Sequence, residues 1–215
     1  MFLQTNQVHT NQFHSFRKID HVISGDDALV LPEIFNPGTN LAVWQRSLPA
    51  TAQEYAAFLQ TTTWQQQRVM INTSEVAEYL TSKLPEAPGR GAFIADIALL
   101  AEMYGCLFNL TEVGIRFARL NTAMCPKFHT DKLGCRLITT YAGVGTEWLK
   151  NEHVRRSDNG KVMYQTNAPV QQVATHDVAI LKGDGWENNE HGGIVHRSPQ
   201  LAENEARVVL TIDGF

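Results

Sequence analysis

The chain has 215 residues, 43% of them hydrophobic and 19% charged, with a formal net charge of −4. That length supports one good core, or a core with a helical annex, and excludes two large domains. Acidic and basic residues are interspersed, so there is no broad cationic field of the kind an obligatory nucleic-acid binder presents.

Residues 1–20 read as an irregular lead-in, and Met1 to Arg17 lacks the cationic-then-apolar order of a signal peptide. No stretch approaches about 18 consecutive apolar residues, so the expectation is a cytoplasmic protein with no membrane partner. Cys106, Cys125 and Cys135 are odd in number and unpaired in spacing, which predicts small buried residues and no disulfides. Residues 21–215 are expected to form one domain, helical over about 47–108 and β-rich over about 110–215.

Leu29-Val30-Leu31-Pro32 and Leu41-Ala42-Val43-Trp44 read as short extended segments around the Asn36-Pro37-Gly38 turn. Apolar residues at helical spacing then predict helices over Ala52 to Leu59, Ser74 to Leu84 and Ala92 to Phe108. Beyond Leu110 the period becomes alternating, with Val113, Ile115 and Phe117 on one face of a strand. Further strands are expected at Phe128 to Leu133, Arg136 to Tyr141, Val162 to Gln165, Val170 to Val173, Asp177 to Leu181, Gly193 to His196 and Arg207 to Ile212. Short strands without intervening helices predict a sandwich, barrel or jelly roll, packed against the helices that precede it.

The chemistry centres on His129-Thr130-Asp131. Residues i and i+2 of a strand project to one face, so imidazole and carboxylate can reach one point. Gly192 to Pro199 offers a second imidazole, His196, at the end of an apolar run, and Arg207 opens the most apolar strand of this half. An arginine entering such a strand requires an anion or an acidic partner. His129, Asp131 and His196 together make a two-His, one-carboxylate set, which leaves positions open for a chelating cosubstrate and dioxygen on Fe(II). Arg207 supplies a fork for the cosubstrate's carboxylate.

The order His129-x-Asp131, Tyr141 followed by Gly143-Val144-Gly145-Thr146-Glu147-Trp148, then His196-Arg197-Ser198-Pro199 and Arg207, resembles the Fe(II)/2-oxoglutarate-dependent dioxygenases. Within them the chain resembles the uncharacterised bacterial family known as domain of unknown function 1826, from about Ile34 onward. The oxygenase resemblance itself covers about Val113 to Phe215. It implies an α+β protein with a double-stranded β-helix (jelly roll, cupin-like) core. It also implies Fe(II) at His129, Asp131 and His196, with Zn or Ni possible as purified. 2-Oxoglutarate would be the cosubstrate, held by Arg207 and decarboxylated to succinate as a small-molecule or peptide substrate is hydroxylated. Where the pattern often has Ser or Thr two residues after the arginine, this chain has Val209, so Tyr141 or Thr139 is the expected hydroxyl contact.

Competing assignments come from the same segments. His191 is the alternative to His196 as distal ligand, but Glu187 to Glu190 before it reads as a loop. His176 beside Asp177 points to the opposite face and is expected in solvent, and His153 lies in a charged surface loop. Arg116, Arg119 and Arg136 offer charge for an anionic substrate or cosubstrate, with surface or salt-bridge roles the default reading, and Trp148 and Trp186 could line a pocket, with packing the default. A non-oxidative Zn- or Fe-binding protein and a cupin-like metal-dependent hydrolase or isomerase are the alternative functions on this scaffold.

Overall fold

The structure, a computed structural model, describes residues 17–157, 161–189 and 192–214. Its strands are β1 (Arg17–Ile19), β2 (Val22–Gly25), β3 (Leu41–Trp44), β4 (Gln67–Asn72), β5 (Glu112–Leu120), β6 (Cys135–Ala142) and β7 (Glu147–Trp148). They continue as β8 (Val154–Arg156), β9 (Val162–Tyr164), β10 (Gln171–Gln172), β11 (Val178–Lys182), β12 (His196–Arg197) and β13 (Arg207–Asp213). The helices are α1 (Ala50–Thr61), α2 (Val76–Lys83) and α3 (Arg90–Phe108).

Each helix forms where the sequence places an apolar stripe. α1 starts after Pro49 and buries Ala52, Tyr55, Ala56 and Leu59, one face at helical spacing. α3 buries Phe93, Ile97, Leu100, Ala101 and Tyr104, and stops at Asn109, whose left-handed backbone (φ 53°) lets its N–H cap the last turn. By length and composition α3 is apolar enough to cross a membrane. Here it packs against α1, α2 and β5, where each fully buried large side chain contributes about 1.5–3 kcal/mol.

Eight strands form the main sheet in the order β1-β2-β3-β11-β6-β13-β5-β4. Among the described strands, only β2 and β3 pair in parallel. β13 lies between β6 and β5 and pairs antiparallel with both. Strand alternation divides the sheet into two faces. Leu137, Tyr141, Val208, Leu210 and Ile212 join the core under the helices. Ile138, Ala179, Leu181 and Val209 face the other way, towards Ile194, Val173 and the small sheet β10-β7-β12. Arg207, Thr211 and Asp213 share this second face with Val209, and it carries the site.

Helices packed on one face of a large mixed sheet agree with the expected class. Local differences have local causes. Leu29–Pro32 is part of a 3-10 helix (Ala28–Phe35) rather than a strand, because the Asp27 carboxylate accepts the Leu29 N–H at 2.9 Å and caps it. Arg17–Ile19, placed in the lead-in by composition, pairs with β2. The strand expected over Phe128 to Leu133 contracts to a single bridge at His129. β4 was not anticipated, and it exists because β5 pairs with all six of its residues.

Candidate metal centre

The two histidines meet through the backbone. His129 N–H donates to the His196 carbonyl at 3.0 Å and His196 N–H donates back to His129 at 2.9 Å. Residues paired in this way project side chains to the same face, and the imidazole centroids lie 4.6 Å apart. Each ring is also fixed in tautomer. Nδ1 of His129 is 2.9 Å from the Lys127 carbonyl and Nδ1 of His196 is 3.1 Å from the Ile194 carbonyl. A carbonyl only accepts, so both Nδ1 atoms carry the proton and both Nε2 atoms present a lone pair.

Asp131 completes the set. Its carboxylate lies 3.7 Å from His129 Nε2 and 3.6 Å from His196 Nε2, and the three ligand atoms all fall within 4.8 Å of one another. The segment carrying it is a loop held by the turn after β11. The Asp184 N–H donates to the Asp131 carbonyl (2.8 Å), and the Thr130 hydroxyl donates to the Asp184 carboxylate (2.6 Å). Gly183 permits that approach, because a Cβ there would sit 2.2 Å from the Leu133 carbonyl oxygen. Burial works against the Asp184 charge, but hydrogen bonds from Lys132 and Thr130 hold its carboxyl below the ordinary value. Arg136 donates to Asp131 (2.8 Å) and forks onto Asp213 (2.6 and 2.8 Å), so the ligand carboxylate is anchored from behind.

Burial lowers the His196 pKa below 6.5, with Asp131 acting in the opposite sense. A neutral imidazole and an acceptor carboxylate are the forms a metal takes as ligands.

Arg207 sits in the same cavity, of about 80 Å³, with His129 and His196. It is 2% exposed. Its guanidinium donates to the Thr140 hydroxyl (3.1 and 2.7 Å) and to the Thr146 hydroxyl (2.6 Å), and meets no carboxylate among the described residues. Burial pulls its pKa down to about 10, which still leaves it charged at neutral pH. A buried cation without a counter-ion is costly, and an anionic ligand supplies what is missing.

Five residues stand differently from expectation. Tyr141 is on the helix face, 1% exposed, with its hydroxyl donating to Asp96 (2.6 Å), which Arg46 also forks. Its assignment as a cosubstrate contact is corrected: one residue of alternation along β6 turns it away from the cavity. Thr139 follows the same parity, and the hydroxyls that reach Arg207 belong to Thr140 and Thr146. Cys125 is exposed and lines the cavity rather than lying buried, as does the exposed Cys106 in its own place on α3. His176 is half-buried, with Nε2 at 3.1 Å from the Tyr141 carbonyl, and not in solvent. His191 lies outside the described residues. Arg136, Thr140 and Thr146 were missed as site residues. The polar positions of β6 at 136 and 140 share a parity, and that pattern could have found the first two.

The large mixed sheet with flanking helices is similar to the fold of a solved dioxygenase. The dioxygenase for auxin oxidation 1 of Arabidopsis thaliana, solved with 2-oxoglutarate, superposes with a TM-score of 0.54 at 11% identity, over 91% of this chain and 92% of that one. The rice dioxygenase for auxin oxidation gives 0.45 at 13% identity (80% and 72% covered), and a Pseudomonas putida prolyl-4-hydroxylase 0.43 at 12% (86% and 96%). Only the first score is high enough to bear on the fold. Residues 25–213 match the family described as a protein of unknown function, DUF1826, and the chain belongs to that family. No curated protein matches it.

Proposed function

We propose that the chain is an Fe(II)- and 2-oxoglutarate-dependent dioxygenase, a hydroxylase of a small-molecule or peptide substrate, built on a double-stranded β-helix. The main sheet and the small sheet β10-β7-β12 would be its two walls. One observation carries the reading: three ligand atoms lie within 4.8 Å of one another, and the two histidines among them line a cavity with a buried arginine that meets no carboxylate among the described residues.

The donor set fits the metal. His129 and His196 through Nε2 and Asp131 through a carboxylate oxygen would hold Fe(II), the donor set of the non-haem iron facial triad. Bound Fe(II) would supply oxygen activation coupled to decarboxylation of 2-oxoglutarate to succinate and carbon dioxide. The chain does the rest. Lys127 and Ile194 carbonyls hold the imidazoles in the ligating tautomer, and Arg136 holds the Asp131 carboxylate. Arg207, aimed by Thr140 and Thr146, takes the distal carboxylate of the cosubstrate. Ile138 and Val209 line the cavity between arginine and triad and keep water from it.

The test is metal analysis of wild type beside His129→Ala, then anaerobic addition of 2-oxoglutarate to the Fe(II) form. A weak visible charge-transfer band in wild type, and none in His129→Ala, is the expected result. Tightly held zinc, no response to 2-oxoglutarate and no succinate under air would overturn the oxygenase reading in favour of a non-oxidative metal protein.

A further inference from the structure

Arg68 on β4 and Arg116 on β5 are directly opposite one another in the antiparallel register. Opposed like charges on neighbouring strands are destabilising, by up to about the 1 kcal/mol that such pairs contribute. Neither guanidinium has a hydrogen bond or ion pair among the described residues, although Arg116 is half-buried. The alternation that places Val69, Ile71, Ile115 and Phe117 towards the helices puts both guanidinia on the metal-site face.

There they line a groove of about 380 Å³ together with Arg136 and Asp213. The single carboxylate in that lining, Asp213, already accepts both arms of the Arg136 fork. Two positive charges are thus left without compensation. The groove lies beside the metal-site cavity, because Arg116 and Arg136 line both. Arg136 also touches Asp131 directly.

We infer that this groove is the substrate's entry and that the substrate is a small anion, a carboxylate or phosphate, gripped by Arg68 and Arg116 with its reacting carbon directed past Arg136 to the triad. The inference rests on the oxygenase reading for the chemistry at the triad, but anion binding by the groove stands by itself. Two guanidinium forks side by side match the planar oxygens of a carboxylate or the face of a phosphate. The cosubstrate has its own cation, Arg207, which lies opposite Leu120, four positions further along β5 from Arg116.

The probes are inorganic phosphate and acetate, titrated at constant ionic strength into the full chain while the arginine Nε–H signals are followed by NMR. The expected result is movement of the Arg68 and Arg116 signals with one or both anions. Affinity should fall tenfold or more in Arg68→Gln/Arg116→Gln, recover in part in Arg116→Lys and persist in Arg207→Gln. The stronger probe names the anion class. Titration that is indifferent to the double variant, or lost in Arg207→Gln alone, would overturn the inference. So would a loss of 2-oxoglutarate affinity in the double variant as large as in Arg207→Gln, since Arg116 would then serve the cosubstrate. Wild type that binds phosphate in the groove but no 2-oxoglutarate would keep the anion site and remove the oxygenase reading, so the two failures are told apart.

Discussion

Arg207→Met is expected to stabilise the ligand-free protein while abolishing cosubstrate binding. A guanidinium whose pKa is pulled down by burial to about 10 has its charged form disfavoured by about 3 kcal/mol, at 1.36 kcal/mol per pH unit. Methionine fills similar space without that charge. Against this, the Thr140 and Thr146 hydroxyls lose their donor, at about 1 kcal/mol each. The balance is a gain of about 1 kcal/mol, read as a higher urea midpoint with an unchanged slope. In the same variant the charge-assisted fork to 2-oxoglutarate is lost, about 3 kcal/mol or more than a hundredfold in affinity by calorimetry. If ligand-free Arg207→Met is instead less stable by about 2 kcal/mol or more, as breaking a compensated buried charge would make it, Arg207 is a structural residue and the argument from its missing counter-ion is wrong.

Tyr141→Phe removes the hydroxyl that bonds buried Asp96; it should lower stability by about 1–2 kcal/mol in urea and leave 2-oxoglutarate affinity within twofold. Gly183→Ala drives a methyl group against the Leu133 carbonyl, so metal content should drop sharply while far-UV circular dichroism stays near wild type. Arg136→Met frees the Asp131 carboxylate from its anchor and is expected to weaken metal binding by about 10–100-fold in a chelator competition. For metal-free protein, His196 has a folded pKa below its unfolded 6.5, so the unfolded state binds the extra proton first. Its contribution is present above about pH 6.5 and lost as pH falls through the lower folded value, at up to about 1.4 kcal/mol per pH unit. Urea midpoints at pH 7.5 and 5 should therefore fall further for wild type than for His196→Gln.

The residues of the triad were legible because their chemistry is visible without the fold. His129 and Asp131 are two apart, and an arginine heads β13, whose polar residues Arg207, Thr211 and Asp213 share one parity. β6 hid its parity. It is buried on both faces from Leu137 to Ala142, so hydrophobic alternation did not separate its faces, and the shared parity of Arg136 and Thr140 was the one cue that Thr140, and not Tyr141 or Thr139, faces the cavity. β4 was illegible for another reason. Gln67 to Asn72 has little intrinsic strand character, and its pairing is supplied by residues 40 to 50 positions later. Even the two histidines are joined by one backbone bridge between distant segments. A strand expected on periodicity became a loop whose shape depends on the Gly183 turn.

The position of β13 has a kinetic consequence. β5 and β6 follow one another in the chain, yet the sheet keeps the place between them for the last strand described. During synthesis β5 and β6 would wait as two open edges, able to pair wrongly with each other or with another chain. Arg207 arrives only when that gap is filled, so cosubstrate affinity becomes a reporter of late folding. Refolding should regain helical signal well before 2-oxoglutarate binding, because the pairings that build the cavity are the long-range, slowly formed ones.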